Sequence, residues 1–191
     1  MPRTKEFEPG EALDAAMQLF WCKGYAATSI RDLLDGMGIG YGSLYNTFGD
    51  KHSLFLASLD RFRKLRTSWI DEVLEDSGLS GIDEVFRRTV DGLVSFEPRR
   101  GCLLANTAVE LGPHDAEVAA KISRYVRHTE AVFERALIRA QDAGEIPADR
   151  DPRALARFLV NALHGLRVLA RVGTDRAVLE DAVRVALDVL H

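Results

Sequence analysis

The chain has 191 residues and a net charge of −4 with histidines neutral; 47% of its residues are hydrophobic, 28% charged and only 8% aromatic. That composition builds a sizeable core, which excludes a disordered chain, and no run of about 18 uncharged apolar residues is present to cross a membrane. Cys22 and Cys102 lie far apart and form no C-x-x-C, which argues against a disulfide framework or a cysteine metal site. The first ten residues lack the apolar stretch of a secretory signal, so the expected setting is the reducing cytoplasm.

Taken in chain order, every segment with a period has the helical one, which predicts an all-α fold of about nine helices. Leu13, Met17, Phe20 and Trp21 mark a first helix between Pro9-Gly10 and Gly24. Ser29 and Asp32 fit a capping box opening a second helix, whose Ile30, Leu33, Leu34 and Met37 face inward. Gly38 supplies a sharp turn, and a third short helix continues the core with Ile39, Leu44 and Phe48. Gly49-Asp50, with Asp50 as cap, starts a long fourth helix over Lys51 to Leu74, ended by Gly78 and Gly81. Pro98 to Gly101 and Gly112-Pro113 mark further joints. A long stripe from Val118 to Leu137 precedes the loop at Gly144 to Pro152. Leu155 to Leu169 and Val178 to Leu190 are the last two stripes, parted by Gly173-Thr174, with Thr174 or Asp175 as cap.

The informative stretch is Thr28 to Lys51, TSIRDLLDGMGIGYGSLYNTFGDK. Two short helices joined steeply by a glycine turn fit the helix-turn-helix that sets its second helix in the DNA major groove, and fit equally an ordinary helical hairpin whose exposed residues are polar. The outward residues of that helix, Gly40, Tyr41, Gly42, Ser43, Tyr45, Asn46 and Thr47, are small, aromatic or polar and carry no charge. Small residues permit close approach to the groove, and hydroxyls and amides can bond phosphate oxygens or base edges. Residues 1–66 hold nine basic and eight acidic side chains, so charge alone does not mark this region as nucleic-acid binding.

Residues 9–56 resemble the DNA-binding domain of the TetR family of bacterial transcriptional regulators, most specifically in Gly42-Ser43-Leu44-Tyr45 through Phe48-Gly49-Asp50-Lys51. The resemblance implies a helix-turn-helix domain over 1–50 and a helical ligand-binding and dimerisation domain over 51–191. It implies that Thr28 and Ser29 bind phosphate at a helix N-terminus. Tyr41, Ser43 and Asn46 would face base edges, Tyr45 and Thr47 the backbone, and Lys51 would anchor a phosphate. Gly42 permits close approach, and Arg3 and Lys5 form a short basic arm. Where many members carry Lys or Arg early in the recognition helix this chain has Tyr41, so the bidentate guanine contact is missing and specificity must come from methyl contacts, amide bonding and DNA shape. A homodimer on a palindromic operator, released by a small-molecule effector that shifts the fourth helix, is the mechanism the resemblance implies.

In the second domain the last two helices are apolar over more than one stripe, which suggests a dimer face including Phe158, Ala162, Gly165, Leu166, Leu169, Leu179, Val183 and Leu187. Polar groups within apolar stretches suggest a ligand pocket: Asn106, Thr107, Glu110, Tyr125, His128, Asn161 and His164, walled by Phe62, Trp69, Phe86 and Phe96. Each of these also has a plain reading as core, cap or interface. Cys102 follows Arg99 and Arg100 near a predicted helix start. Both features favour the thiolate and raise the alternative of an electrophile- or oxidant-sensing regulator. No G-x-x-x-x-G-K-[ST], H-E-x-x-H or G-x-S-x-G occurs, so neither an enzyme nor a metal or cofactor is expected.

Overall fold

The computed structural model describes residues 7–95 and 100–191, which form ten α-helices and no strand. The chain falls into two compact units, Met1–Arg66 and Thr67–His191. The first holds α1 (Pro9–Lys23), α2 (Ile30–Met37), α3 (Tyr41–Phe48) and α4 (Lys51–Arg66). The division therefore comes after α4 and not at residue 50, because α4 is welded to α1. Phe55 meets Phe20 edge-on at 4.9 Å, Phe62 meets Trp21 at 5.0 Å, and Arg61 makes two 2.7 Å bonds to the Asp14 carboxylate.

The long fourth helix expected over Lys51 to Leu74 is two helices. Thr67 leaves helical geometry at φ −130° and ψ −13°, and α5 (Ser68–Leu74) follows. Gly81 lies inside the next helix, α6 (Leu79–Ser95), instead of ending the one before. The remaining elements are α7 (Leu103–Glu110), α8 (Ala116–Asp142), α9 (Pro152–Arg171) and α10 (Arg176–Asp188).

The core of the second unit is built from Ile82, Val85 and Phe86 of α6, Phe133 and Leu137 of α8, and Leu159 and Leu163 of α9. Helix starts follow the capping rules: Asp115 accepts from the N–H groups of Glu117 and Val118, and Asp151 from that of Arg153, ahead of Pro152. Two distant side chains finish the α5–α6 joint. Glu145 accepts the Leu79 N–H at 2.9 Å, and Arg139 donates to the carbonyls of Ser77 and Leu74. No described helix is long and apolar enough to cross a membrane.

Candidate functional site

The α2–turn–α3 segment is built as its sequence dictates. Ser29 Oγ accepts the Asp32 N–H while the Asp32 carboxylate takes the Ser29 N–H, so both arms of the capping box are made. Gly38 closes α2 in the left-handed region (φ +66°, ψ +29°), and its N–H bonds the Leu34 carbonyl. That conformation turns the chain at once into Gly40 and α3. Fully buried Leu33 and Leu44 anchor the two helices to the core of the unit. Asp50 accepts the Ser53 N–H at 2.7 Å and caps α4.

On the other side of α3, Gly42, Tyr45, Asn46 and Thr47 are exposed, Tyr41 is 59% exposed, and Ser43 is half-buried. The Tyr41 and Tyr45 rings stack at 4.5 Å between centres, and the hydrogen bond between the two side chains raises the Tyr45 pKa. Nothing lies within 4 Å of a Cβ built on Gly40 or Gly42, so the backbone here is open to a close neighbour. Two expected phosphate contacts change. Thr28 is fully buried, and its hydroxyl donates to the Gly24 carbonyl at 2.6 Å, where it closes the α1–α2 loop instead of facing outward. Ser29 is exposed, but its hydroxyl is engaged by Asp32 in both directions. The Asp32 carboxylate, bonded by Lys23 Nζ at 2.6 Å and by Ser29, is held well below the usual carboxylate range. Lys51 opens α4 with its ammonium 4.3 Å from the centre of the Tyr25 ring. Arg31, the one cation on α2 and α3, escaped the sequence reading; its side chain is 92% exposed and only loosely paired with Asp35. Arg3 and Lys5 lie outside the described residues.

The residues expected to line a ligand pocket do not come together. Phe62 belongs to the first unit, against Trp21, and Phe86 is sealed in the second unit's core. His128 is on the surface, paired with Asp71 at 3.0 Å, and Asn161 is exposed and bonds its own helix at Arg157. Asn106 donates to the Arg100 carbonyl ahead of α7. Trp69 is half-buried against the core under Arg88, and Tyr125 is buried on α8. Glu110 is half-buried at the end of α7. Cys102 is the N-cap residue of α7, as expected, but only 5% exposed. Phe96 and Arg99 lie outside the described residues.

A cleft of about 370 Å³ does open between α6 and α10, with a floor of Val90, Val183 and Leu187 and a charged rim. It includes none of the expected ligand residues. Thr89 was not anticipated: it is 7% exposed and its hydroxyl has no hydrogen-bond partner. Its signal was a polar side chain inside the apolar stripe Ile82, Val85, Phe86, Val90.

The expected dimer face is partly corrected. Leu166 and Leu179 are buried in the unit's own core and cannot meet a partner, while Val183 and Leu187 are half-buried against that core. Ala162 is half-buried, and Phe158, Gly165 and Leu169 are exposed. They continue into exposed Val168 on α9 and Val172 just after it, and Val178 and Val185 on α10 with Val189 just after it.

Residues 12–58 match the bacterial regulatory proteins of the tetR family, and residues 78–186 match the tetracyclin repressor-like C-terminal domain. The chain is 37% identical to the uncharacterised HTH-type transcriptional regulator YezE of Bacillus subtilis (strain 168) over the whole of both chains. It is 33% identical to the HTH-type transcriptional repressor ComR of Escherichia coli (strain K12), over 96% of this chain and 88% of ComR. Among solved structures, a cysteine-substituted variant of the TetR family regulator CifR, complexed with 26-base-pair double-strand operator DNA, superposes with a TM-score of 0.88. That match has 30% identity and covers 99% of this chain and all of the other.

Proposed function

Because this chain belongs to the TetR family of bacterial regulatory proteins and is therefore a DNA-binding transcriptional regulator, we propose that it is a cytoplasmic, non-catalytic homodimeric repressor that a small organic effector releases from a palindromic operator. The observation that carries this reading is α3. It is set off from α2 by the left-handed Gly38, anchored from below by Leu44, and lined outside with exposed hydroxyl, amide and aromatic groups of the kinds that can bond or touch base edges.

Two copies are needed to read two half-sites about one helical turn apart. The exposed apolar stripe of Phe158, Gly165 and Leu169 on α9 and Val172 at its end, with Val178 and Val185 on α10 and Val189 at its end, supports that pairing. The orphaned Thr89 hydroxyl supports an effector that brings one hydrogen-bonding group to an otherwise apolar environment. The thiol-sensing alternative through Cys102 gains nothing from a buried sulfur.

The test is a fluorescence-anisotropy titration against the DNA flanking the protein's own gene, beside a scrambled duplex, at several salt concentrations. The reading expects tight binding to the native fragment alone, at two protomers or a multiple of two. It also expects Tyr45→Ala to abolish that binding while leaving the dimer intact in size-exclusion chromatography. Equal binding to both duplexes, or normal binding by Tyr45→Ala, overturns it.

A further inference from the structure

The outward surface of α3 has no charge with which to read a base, yet its largest feature is aromatic. Tyr41 and Tyr45 are one turn apart on the same flank of the helix. Their rings stack at 4.5 Å with 30° between planes, and both remain exposed, at 59% and 38%. Among the described residues of the first unit, only Leu65 is a further exposed large hydrophobic side chain. Solvent exposure of a stacked aromatic pair is a cost unless something covers it.

Three details narrow what the covering group is. Gly40 and Gly42 flank Tyr41 with no side chain and no neighbour within 4 Å of a built Cβ, so a bulky planar or methylated edge can reach the ring. The pair is preformed: the two rings already stack on each other, so less rotamer freedom is left to lose on contact. Next around the helix stands the exposed Asn46, whose amide matches the N6/N7 edge of adenine. A ring beside an adenine-reading amide meets, on an A·T pair, the one apolar group of the major groove, the thymine C5-methyl.

Resting on the reading of α3 as the recognition helix, we propose that Tyr41 is the specificity-determining residue of this protein: its ring, held by Tyr45, packs on a thymine methyl in each operator half-site. Tyr45 acts as the positioning residue, keeping the Tyr41 ring in place through the stack. The half-site is then read as A·T at this step, by one methyl contact and one amide, without a guanine contact from α3.

Deoxyuridine differs from thymidine only by that methyl, so it isolates the contact. The experiment takes the duplex selected by the full-length protein from a random pool and replaces each thymine of both half-sites in turn with deoxyuridine, measuring affinity by anisotropy. Burying one methyl predicts about a four-fold loss per half-site and about fifteen-fold when both symmetry-related positions are replaced. For the wild-type protein one symmetric position should show that loss. Tyr41→Phe should keep the sensitivity, because the ring remains. Tyr41→Ser, an exposed substitution that leaves the core untouched, should bind more weakly and lose it, and Tyr45→Leu should reduce it by loosening the stack. No deoxyuridine-sensitive position in wild type, or an unchanged sensitive position in Tyr41→Ser, overturns the proposal. Failure of the wild-type protein to select any duplex would instead overturn the reading of α3 as a recognition helix.

Discussion

The turn between α2 and α3 is a single left-handed residue, and its replacement by alanine gives a calculable cost. Gly38 sits at φ +66° and ψ +29°, and a Cβ built there touches nothing within 4 Å. The penalty is therefore conformational and not steric. A non-glycine L-residue in this region costs roughly 1–2 kcal/mol. Alanine also restricts the unfolded chain, which returns about 0.4–1 kcal/mol. The net expectation for Gly38→Ala is a loss of about 1 kcal/mol from the first unit. Gly38→Asn should lose less, since asparagine tolerates this region through local hydrogen bonds. Trp21 offers a probe, being buried against Phe62 in the same unit, and Trp69→Phe removes the competing signal from the second unit. In urea, with a slope of about 1–2 kcal/mol per molar, the fluorescence midpoint should fall by about 0.5–1 M in Gly38→Ala at unchanged slope. A variant as stable as wild type, or an asparagine as costly as alanine, would refute the reasoning that this turn depends on glycine's left-handed freedom.

Phe158→Arg places a charge on the exposed α9 stripe and should give monomers by light scattering with helicity intact. Leu166→Arg, from a position in the unit's own core, should instead lose helicity. Thr89→Val removes an unpaired buried hydroxyl at nearly constant volume, so the unliganded protein should gain about 1–2 kcal/mol in thermal unfolding and respond less to effectors; a destabilised variant would contradict the orphan assignment. Burial, aided by Arg167, pushes His164 down to about 4 from 6.5, so between these values the unfolded chain binds the extra proton. Stability should rise with pH across that window and fall on acidification. His164→Gln should flatten that part of the stability–pH curve, and an unchanged curve would remove His164 as its cause.

The parts legible in the sequence were those fixed by local chemistry. Ser29 with Asp32, Gly38 and Asp50 each solve a backbone problem within a few residues, and each stands where the pattern put it. What failed to show depends on packing between distant segments. Thr67 ends α4 without a glycine or proline, so periodicity runs through it from Phe55 to Val73. Thr28 reads as a polar residue at a helix start, but the Gly24 carbonyl, exposed by the end of α1, pulls its hydroxyl inside. On α9 and α10, apolar residues cover so much of the circumference that spacing cannot tell the side facing the core from the side facing out. Leu166 and Leu169, three residues apart, fall on opposite sides of that divide. The pocket residues share the same difficulty: a polar group within an apolar stretch is equally a surface pair, as His128 with Asp71.

The distribution of charge in the first unit bears on how such a protein holds DNA. Lys23 is bonded to Asp32, Arg61 to Asp14, and Lys51 and Arg66 lie over aromatic rings. Cations spent in this way stabilise the fold and contribute less to phosphate neutralisation, the main source of sequence-independent affinity. On the proposed reading, with α3 uncharged and Arg31 the one exposed cation beside it on α2, each half-site relies on contacts that require the right bases, and a single copy gains little from DNA of any sequence. Weak single engagement makes the second copy decisive, since linking two modest half-site interactions multiplies them. It follows that operator affinity depends steeply on both copies engaging together. The proposed effector would then need to disturb only the simultaneous fit of the two copies, and not the α3 surface itself, to release the DNA.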